Sequence, residues 1–260
     1  MKRILSFIVT TGLLLVSCGT LNLDPARLMQ SGIYAAQALT LTDAQVQAYV
    51  HQYVTQLDAQ STVLPESNAY TKRLRKLTAG LDGVNEVPLN FKVYKENEVN
   101  AFACADGSVR VYTGIMDVMT DNELLGVIGH EIGHVALNHT RRQMRNAILT
   151  SAAMEGLAST SSTIAALTDS QLGAIGSAIL DAKFSRDQES EADDYGYNFL
   201  VKAGKNPWAM VMSFEKLQAL SGGGQAGPVS NIFSSHPDTA TRIKRMTERC
   251  NTDGYKRPAK

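Results

Sequence analysis

No sign of charge dominates this sequence: 25 lysines and arginines meet 25 aspartates and glutamates. A balanced chain has no excess of positive charge to draw it onto nucleic acid through counterion release, so a nucleic-acid partner is not expected. Proline is scarce as well, seven in 260 residues, and with hydrophobic residues at 44% the composition excludes a disordered chain and a collagen-like repeat. There is no internal repeat and no sign of a second domain. Chains of this size bury roughly three quarters of their extended surface, so neither disulfides nor a metal are needed merely to fold. A metal site here therefore points to function. Long hydrophobic runs are missing after residue 17, and nothing beyond that point reads as a convincing membrane span.

The one continuous apolar run is at the start, where Lys2 and Arg3 precede Ile4 to Val16. It is too short to span a bilayer stably and has the shape of a secretory signal. Leu15-Val16-Ser17-Cys18 resembles a bacterial lipobox, which implies cleavage before Cys18 and acylation of that residue. Two or more acyl chains would hold the protein on a membrane lastingly, at about 0.8 kcal/mol per buried methylene. Gly19, rather than aspartate, follows the cysteine, and in enterobacterial-type sorting this implies the outer membrane, periplasmic face. Cys104 and Cys250 remain, an even number in a compartment that permits oxidation, so a disulfide between them is chemically allowed.

Thr42 and Asp43 open a helical pattern carrying Val46, Tyr49, Val50, Tyr53, Val54 and Leu57, with either as N-cap. A second, more basic helical stretch covers residues 70–81 and ends at the Asp82-Gly83 turn signal. Runs 91–94 and 109–112 have strand character around an Asp106-Gly107 turn, giving a small antiparallel sheet with a hairpin near residue 106. Asp121 is expected to cap a helix with a wide apolar face from Leu124 to Leu137, buried on most sides. Residues 148–180 are rich in small side chains and read as core helices, with a movable lid or a membrane-touching hairpin as alternatives. Glycines 222 to 224 mark a loop before a terminal helix near residues 239–250.

Inside the buried helix stands His130-Glu131-Ile132-Gly133-His134. Four residues at about 100° each return a side chain to within about 40° of its starting direction, so both imidazoles leave one face and can meet one ion. Glu131 points about 100° away from His130, which suits a carboxylate that takes a proton from water rather than binding the metal. A catalytic zinc of this kind wants a third protein ligand and keeps a fourth position for water or a substrate carbonyl. Residues 184–196 supply acids on a helical continuation, including Glu189, Glu191 and Asp193. Taken alone such a run is a solvated helix face; beside H-E-x-x-H, one acid can bind the metal while another accepts the spare N–H of a ligating histidine. Spacing does not choose between Glu189 and Glu191. His51 and His139 have no such context and read as ordinary surface or helix residues.

Together with Asn100-Ala101-Phe102-Ala103, Val111-Tyr112-Thr113-Gly114, Ser235-His236-Pro237 and Arg242, these motifs resemble the gluzincin-type zinc metallopeptidases that include the CAAX prenyl proteases, HtpX, Oma and BepA. The similarity runs from about residue 42 to the C-terminus. The resemblance implies an α+β, mostly helical zincin-like domain over 41–260, preceded by a signal at 1–17 and a lipidated tether at 18–40. It implies one zinc ion held by His130, His134 and Glu189, with Glu131 as catalytic base and Asp193 as the acidic partner of a ligand. His236 would work near the zinc, either hydrogen-bonding a substrate oxyanion or gating the metal. Asn100 to Ala103 would form an edge strand that binds an extended peptide. The implied activity is endopeptidase cleavage of misfolded or unassembled envelope proteins; the rival is a chaperone-like or adaptor lipoprotein with a capped metal. The chain departs from membrane-embedded relatives in lacking later spans and from BepA in lacking a C-terminal repeat domain, which leaves prenylated substrates and a built-in docking scaffold without support.

Overall fold

The computed structural model describes residues 42–155, 183–221 and 239–259, together with Leu172, Gly173, Gly176 and His236. The expected signal sequence, Cys18 and the tether lie outside the described residues, as do most of 156–182 and the glycine loop 222–235. The element order is α1 (Asp43–Gln60), α2 (Ala69–Leu77), β1 (Gly83–Val84), β2 (Val87–Pro88), β3 (Asn90–Tyr94), β4 (Ala101–Ala103), β5 (Ser108–Tyr112), α3 (Thr113–Val118), α4 (Asp121–Ala136), α5 (His139–Glu155), α6 (Arg186–Lys202), α7 (Trp208–Ser221) and α8 (Thr239–Thr252). The architecture is mostly helical, with two small sheets. Among the described residues no helix is long and apolar enough to cross a membrane.

Helix starts follow the capping chemistry of the sequence. Thr42, Thr120 and Ser185 each accept from the backbone N–H three residues on, and Gln45, Glu123 and Gln188 each reach back to the cap in a capping box. Thr120, not Asp121, thus caps α4. Helix α2 stops at Leu77, short of the expected residue 81, because Thr78 caps it and Gly80 follows at φ 81°.

The sheet departs from the all-antiparallel expectation. Strand order is β3-β5-β4, with β4 antiparallel to β5 across the hairpin at residue 106, whereas β3 runs parallel to β5 with Phe91 opposite Val109. Gly107, at φ 83°, makes the hairpin turn, and its missing Cβ leaves room for the Pro88 carbonyl. A separate two-stranded ribbon, β1-β2, was not foreseen; its turn residues Asn85 and Glu86 both have positive φ, 45° and 66°. Asn85 Nδ2 donates to Ala136 O at 2.8 Å, satisfying a carbonyl at the end of α4. Glu86 is exposed and β-hairpins favour glycine at this place, so Glu86→Gly is expected to stabilise the protein by about 0.5–1 kcal/mol, read as a higher midpoint in thermal unfolding.

The core is built around α4, in which every residue from Glu123 to Ala136 is buried. α6 and α7 pack along it. Glycines make this closeness possible: a Cβ on Gly133 would collide with the Ala192 carbonyl on α6, and one on Gly126 with the Ala209 carbonyl on α7. A second cluster joins α1, β4 and α5 through Val50, Tyr53, Phe102 and Met144. Buried Arg110 of β5 ties α1 to the sheet through Asp58, with Nε at 2.8 Å and Nη2 at 3.0 Å. Cys104 and Cys250 are free buried thiols in the two different clusters, and no disulfide joins them.

Candidate metal centre

Helix α4 offers His130 and His134 one turn apart, with their Nε2 atoms 3.0 Å from each other. Helix α6 opens at its Ser185 cap, placing buried Glu189 in the first turn and buried Asp193 one turn later. The glycine contacts hold the two helices near enough for the carboxylate of Glu189 to meet both rings. Its Oε1 is 3.3 Å from His134 Nε2 and its Oε2 is 3.5 Å from His130 Nε2. His236, in the segment before α8, brings Nδ1 to 3.1 Å from His130 Nε2 and 3.0 Å from Glu189 Oε1. One nitrogen or oxygen from each of these four residues lies within 4.8 Å of the others.

This donor set fits a small cation. Four ligands at about 2.0–2.1 Å around a tetrahedral ion stand about 3.4 Å apart; five of the contacts here run from 3.0 to 3.5 Å, Glu189 meeting the two rings through different oxygens, and the whole set of four donors fits within 4.8 Å. Glu189 Oε2 is buried and receives no hydrogen bond, although Arg242 Nη1 lies 2.5 Å away in a poorly aligned ion pair. Buried carboxylates from Glu131, Glu189 and Asp193 crowd around one buried guanidinium, Arg242, with Arg245 Nη2 3.6 Å from Asp193 on the outer side, an acid-rich setting that suits a cation. Burial, joined by the neighbouring His130, holds His134 well below the usual histidine pKa, keeping it in the neutral form that a ligating imidazole needs. Burial alone would raise Glu189, but His236 and His130 and the hydrogen bonds from His134 and His236 bring it below the ordinary carboxylate range. His236 is pushed the other way: burial lowers it, and the Glu189 carboxylate more than reverses that.

Asp193 accepts from His130 Nδ1 at 2.8 Å and from Arg242 Nε and Nη2 at 2.9 and 2.7 Å. Against burial, Arg242 lowers its pKa to about 2, so it remains a carboxylate that fixes the His130 ring. Arg242 in turn lies over the Phe214 ring, 4.2 Å from its centroid.

Glu131 stands outside the four-donor group. Burial raises its pKa, partly countered by His236, His130 and a hydrogen bond from the Ala103 N–H. His236 Nε2 is 3.5 Å from its Oε1. The Ala103 contact is possible because β4 is an edge: Cys104 N–H bonds Ser108 O and Tyr112 N–H bonds Asn100 O, which turns the backbone of Ala101 and Ala103 away from β5. Asn100 to Ala103 are only 3–9% exposed, and among the described residues no strand pairs with their free side.

Two contributors were missed at the level of sequence. His139, expected as an ordinary surface or helix residue, does begin α5 but is fully buried, 3.1 Å from His134 Nδ1 and 3.0 Å from Glu191 Oε2. Phe184 stacks on His134 with ring centroids 3.7 Å apart and on His236 at 5.3 Å. Glu191, the rival to Glu189, turns its carboxylate to His139 rather than into the cluster. His51 is exposed, as expected, beside Asp106.

Residues 65–250 match the model of peptidase family M48. The chain belongs to that family. It is 41% identical over 255 residues to Metalloprotease LoiP of Escherichia coli strain K12, covering 98% of this chain and 100% of that one. It is 40% identical over 249 residues to Metalloprotease YcaL of the same strain, covering 95% and 96% of the two chains. A putative beta-barrel assembly-enhancing protease of Vibrio cholerae is 31% identical over 207 residues, 75% of this chain but 42% of that longer one. Family and relatives make this M48 chain a metalloendopeptidase, and His130, His134, Glu189 and His236 are the described residues that could hold its metal.

Proposed function

We propose that the chain is a zinc-dependent endopeptidase of the bacterial cell envelope, working on misfolded or unassembled proteins. The observation that carries the zinc reading is the donor set itself: two imidazoles and one carboxylate whose nearest nitrogen and oxygen atoms stand 3.0–3.5 Å apart, with a fourth nitrogen beside them. Imidazole and carboxylate without thiolate, in four-coordinate geometry, favour a single zinc over magnesium or calcium, which prefer six or more oxygens. His130, His134 and Glu189 are the ligands in this reading. When bound, the ion supplies Lewis acidity, polarising a scissile carbonyl and acidifying water near neutral pH.

The chain's own residues do the rest. Glu131, raised in pKa by burial and oriented by the Ala103 N–H, takes a proton from the attacking water and passes it to the leaving amine nitrogen. An extended substrate pairs with the outward backbone of Ala101 and Ala103, which tolerates many sequences and so suits unfolded proteins. Because β4 is nearly buried, that pairing displaces the groups that now exclude water from it. His236 serves as a gate: its Nδ1 stands where a fourth ligand would, and its departure opens that position to substrate. The same contact favours the second reading, a chaperone-like or adaptor protein whose metal stays capped.

The lipobox-like Leu15 to Cys18 supports anchoring through acylated Cys18 on the periplasmic face of the outer membrane, and a relative named for beta-barrel assembly supports unassembled envelope proteins as substrates. Metal analysis of purified protein is expected to return one zinc per chain; chains without stoichiometric zinc would overturn the metal reading. A wild-type protein that binds an unfolded substrate at full zinc occupancy and cleaves none would hand the function to the capped module.

A further inference from the structure

We infer that His139 and Glu191 form a positioning pair that fixes the tautomer of His134 from behind, an inference that rests on the zinc reading above. His139 reaches this place because Asn138 takes a left-handed conformation, φ 59°, turning the chain sharply between α4 and α5. The ring then lies fully buried with Nδ1 3.1 Å from His134 Nδ1, on the side of His134 opposite the Nε2 that faces His130 and Glu189. Two imidazole nitrogens at that distance need one proton between them. If His134 gives the Nε2 lone pair to a cation, its proton sits on Nδ1 and is donated to His139 Nδ1. The proton of His139 is then on Nε2, where Glu191 Oε2 accepts it at 3.0 Å. In this arrangement every ring nitrogen of the two histidines has a complementary partner.

Both ligating imidazoles thus end on a carboxylate of α6. His130 reaches Asp193 directly at 2.8 Å, and His134 reaches Glu191 through one intervening ring. The acidic stretch of α6 divides its work: Glu189 toward the cation, Asp193 behind one histidine and Glu191 behind the other. Glu191 lies on the surface, 59% exposed at its side chain, while the ring it holds is sealed from water. A histidine that merely fills the core would be indifferent to which nitrogen carried its proton; one that holds a ligand is not.

The test compares zinc affinity, by chelator competition, with the thermal stability of the metal-free protein for wild type, His139→Phe, His139→Gln and Glu191→Gln. Phenylalanine keeps most of the volume and removes both hydrogen bonds, so His139→Phe is expected to weaken zinc binding about 10–100-fold. Glutamine can accept from His134 and donate to Glu191, and should hold affinity within about threefold of wild type. Glu191→Gln, at an exposed site where little change in stability is expected, should weaken binding about two- to fivefold. Wild-type affinity in both His139→Phe and Glu191→Gln would overturn the pair, as would an equal loss in His139→Phe and His139→Gln. If instead the wild-type chain itself holds no stoichiometric zinc, the metal reading fails and takes the pair with it, so the two failures are distinct.

Discussion

Replacing Glu131 with glutamine is expected to cut kcat/KM on an unfolded protein substrate by about 10²–10⁴-fold while zinc content stays at one per chain. Glutamine preserves the volume of the buried side chain and keeps an oxygen to accept the Ala103 N–H. What it loses is the ability to take a proton. Because Glu131 is not one of the four clustered donors, its replacement leaves His130, His134 and Glu189 where they are. The split between intact metal binding and lost turnover is the signature of a base; loss of zinc along with turnover would mean a ligand instead. Cleavage at the wild-type rate would remove Glu131 from the mechanism altogether.

The second large effect is expected from Gly133→Ala. Gly133 lies inside the histidine motif, where spacing alone treats it as an interchangeable filler. In the fold it is the contact point of α4 and α6: a methyl there collides with the Ala192 carbonyl and comes within 3.0 Å of Ala192 C and Cα, all backbone atoms that cannot rotate away. The helices have to separate, and Ala192 is next to Asp193 and three residues from Glu189. Overpacking of this kind costs about 1–3 kcal/mol, which lowers the unfolding midpoint by roughly 2–4 °C per kcal/mol for a chain of this size. Zinc affinity is expected to fall at least about tenfold, because Glu189, the third ligand in the proposed reading, moves with α6. A variant with unchanged melting and unchanged zinc affinity would show that this close approach does not set the ligand geometry.

These two residues also mark how far the sequence could be read. His130, Glu131 and His134 share one helix, so 3.6-residue periodicity places them without knowledge of the fold. Glu189 belongs to a distant segment; pattern offered it and Glu191 on equal terms, and only family resemblance separated them. The structure gives the physical reason for the separation, since Glu191 is turned to His139. His139 itself was beyond reach because a left-handed residue, Asn138, intervenes and no helical period continues through it. Its signal was a buried-type ring one turn past the motif, matched by an acid on α6 without another task. The parallel pairing of β3 with β5 was missed for a similar reason: alternation within a strand says which face is buried, not in which direction its neighbour runs. Phe184 directly precedes the cap of α6, and its stacking on His134 is a tertiary contact that no local pattern encodes.

The imbalance of fixed charge enclosed by α4, α6 and α8 links upkeep of the protein to its metal supply. Removing the cation strands unneutralised carboxylates away from water, so folding and metal uptake reinforce each other. Under metal starvation the metal-free chains would be the less stable population, so the lifetime of the protein would follow availability of the ion.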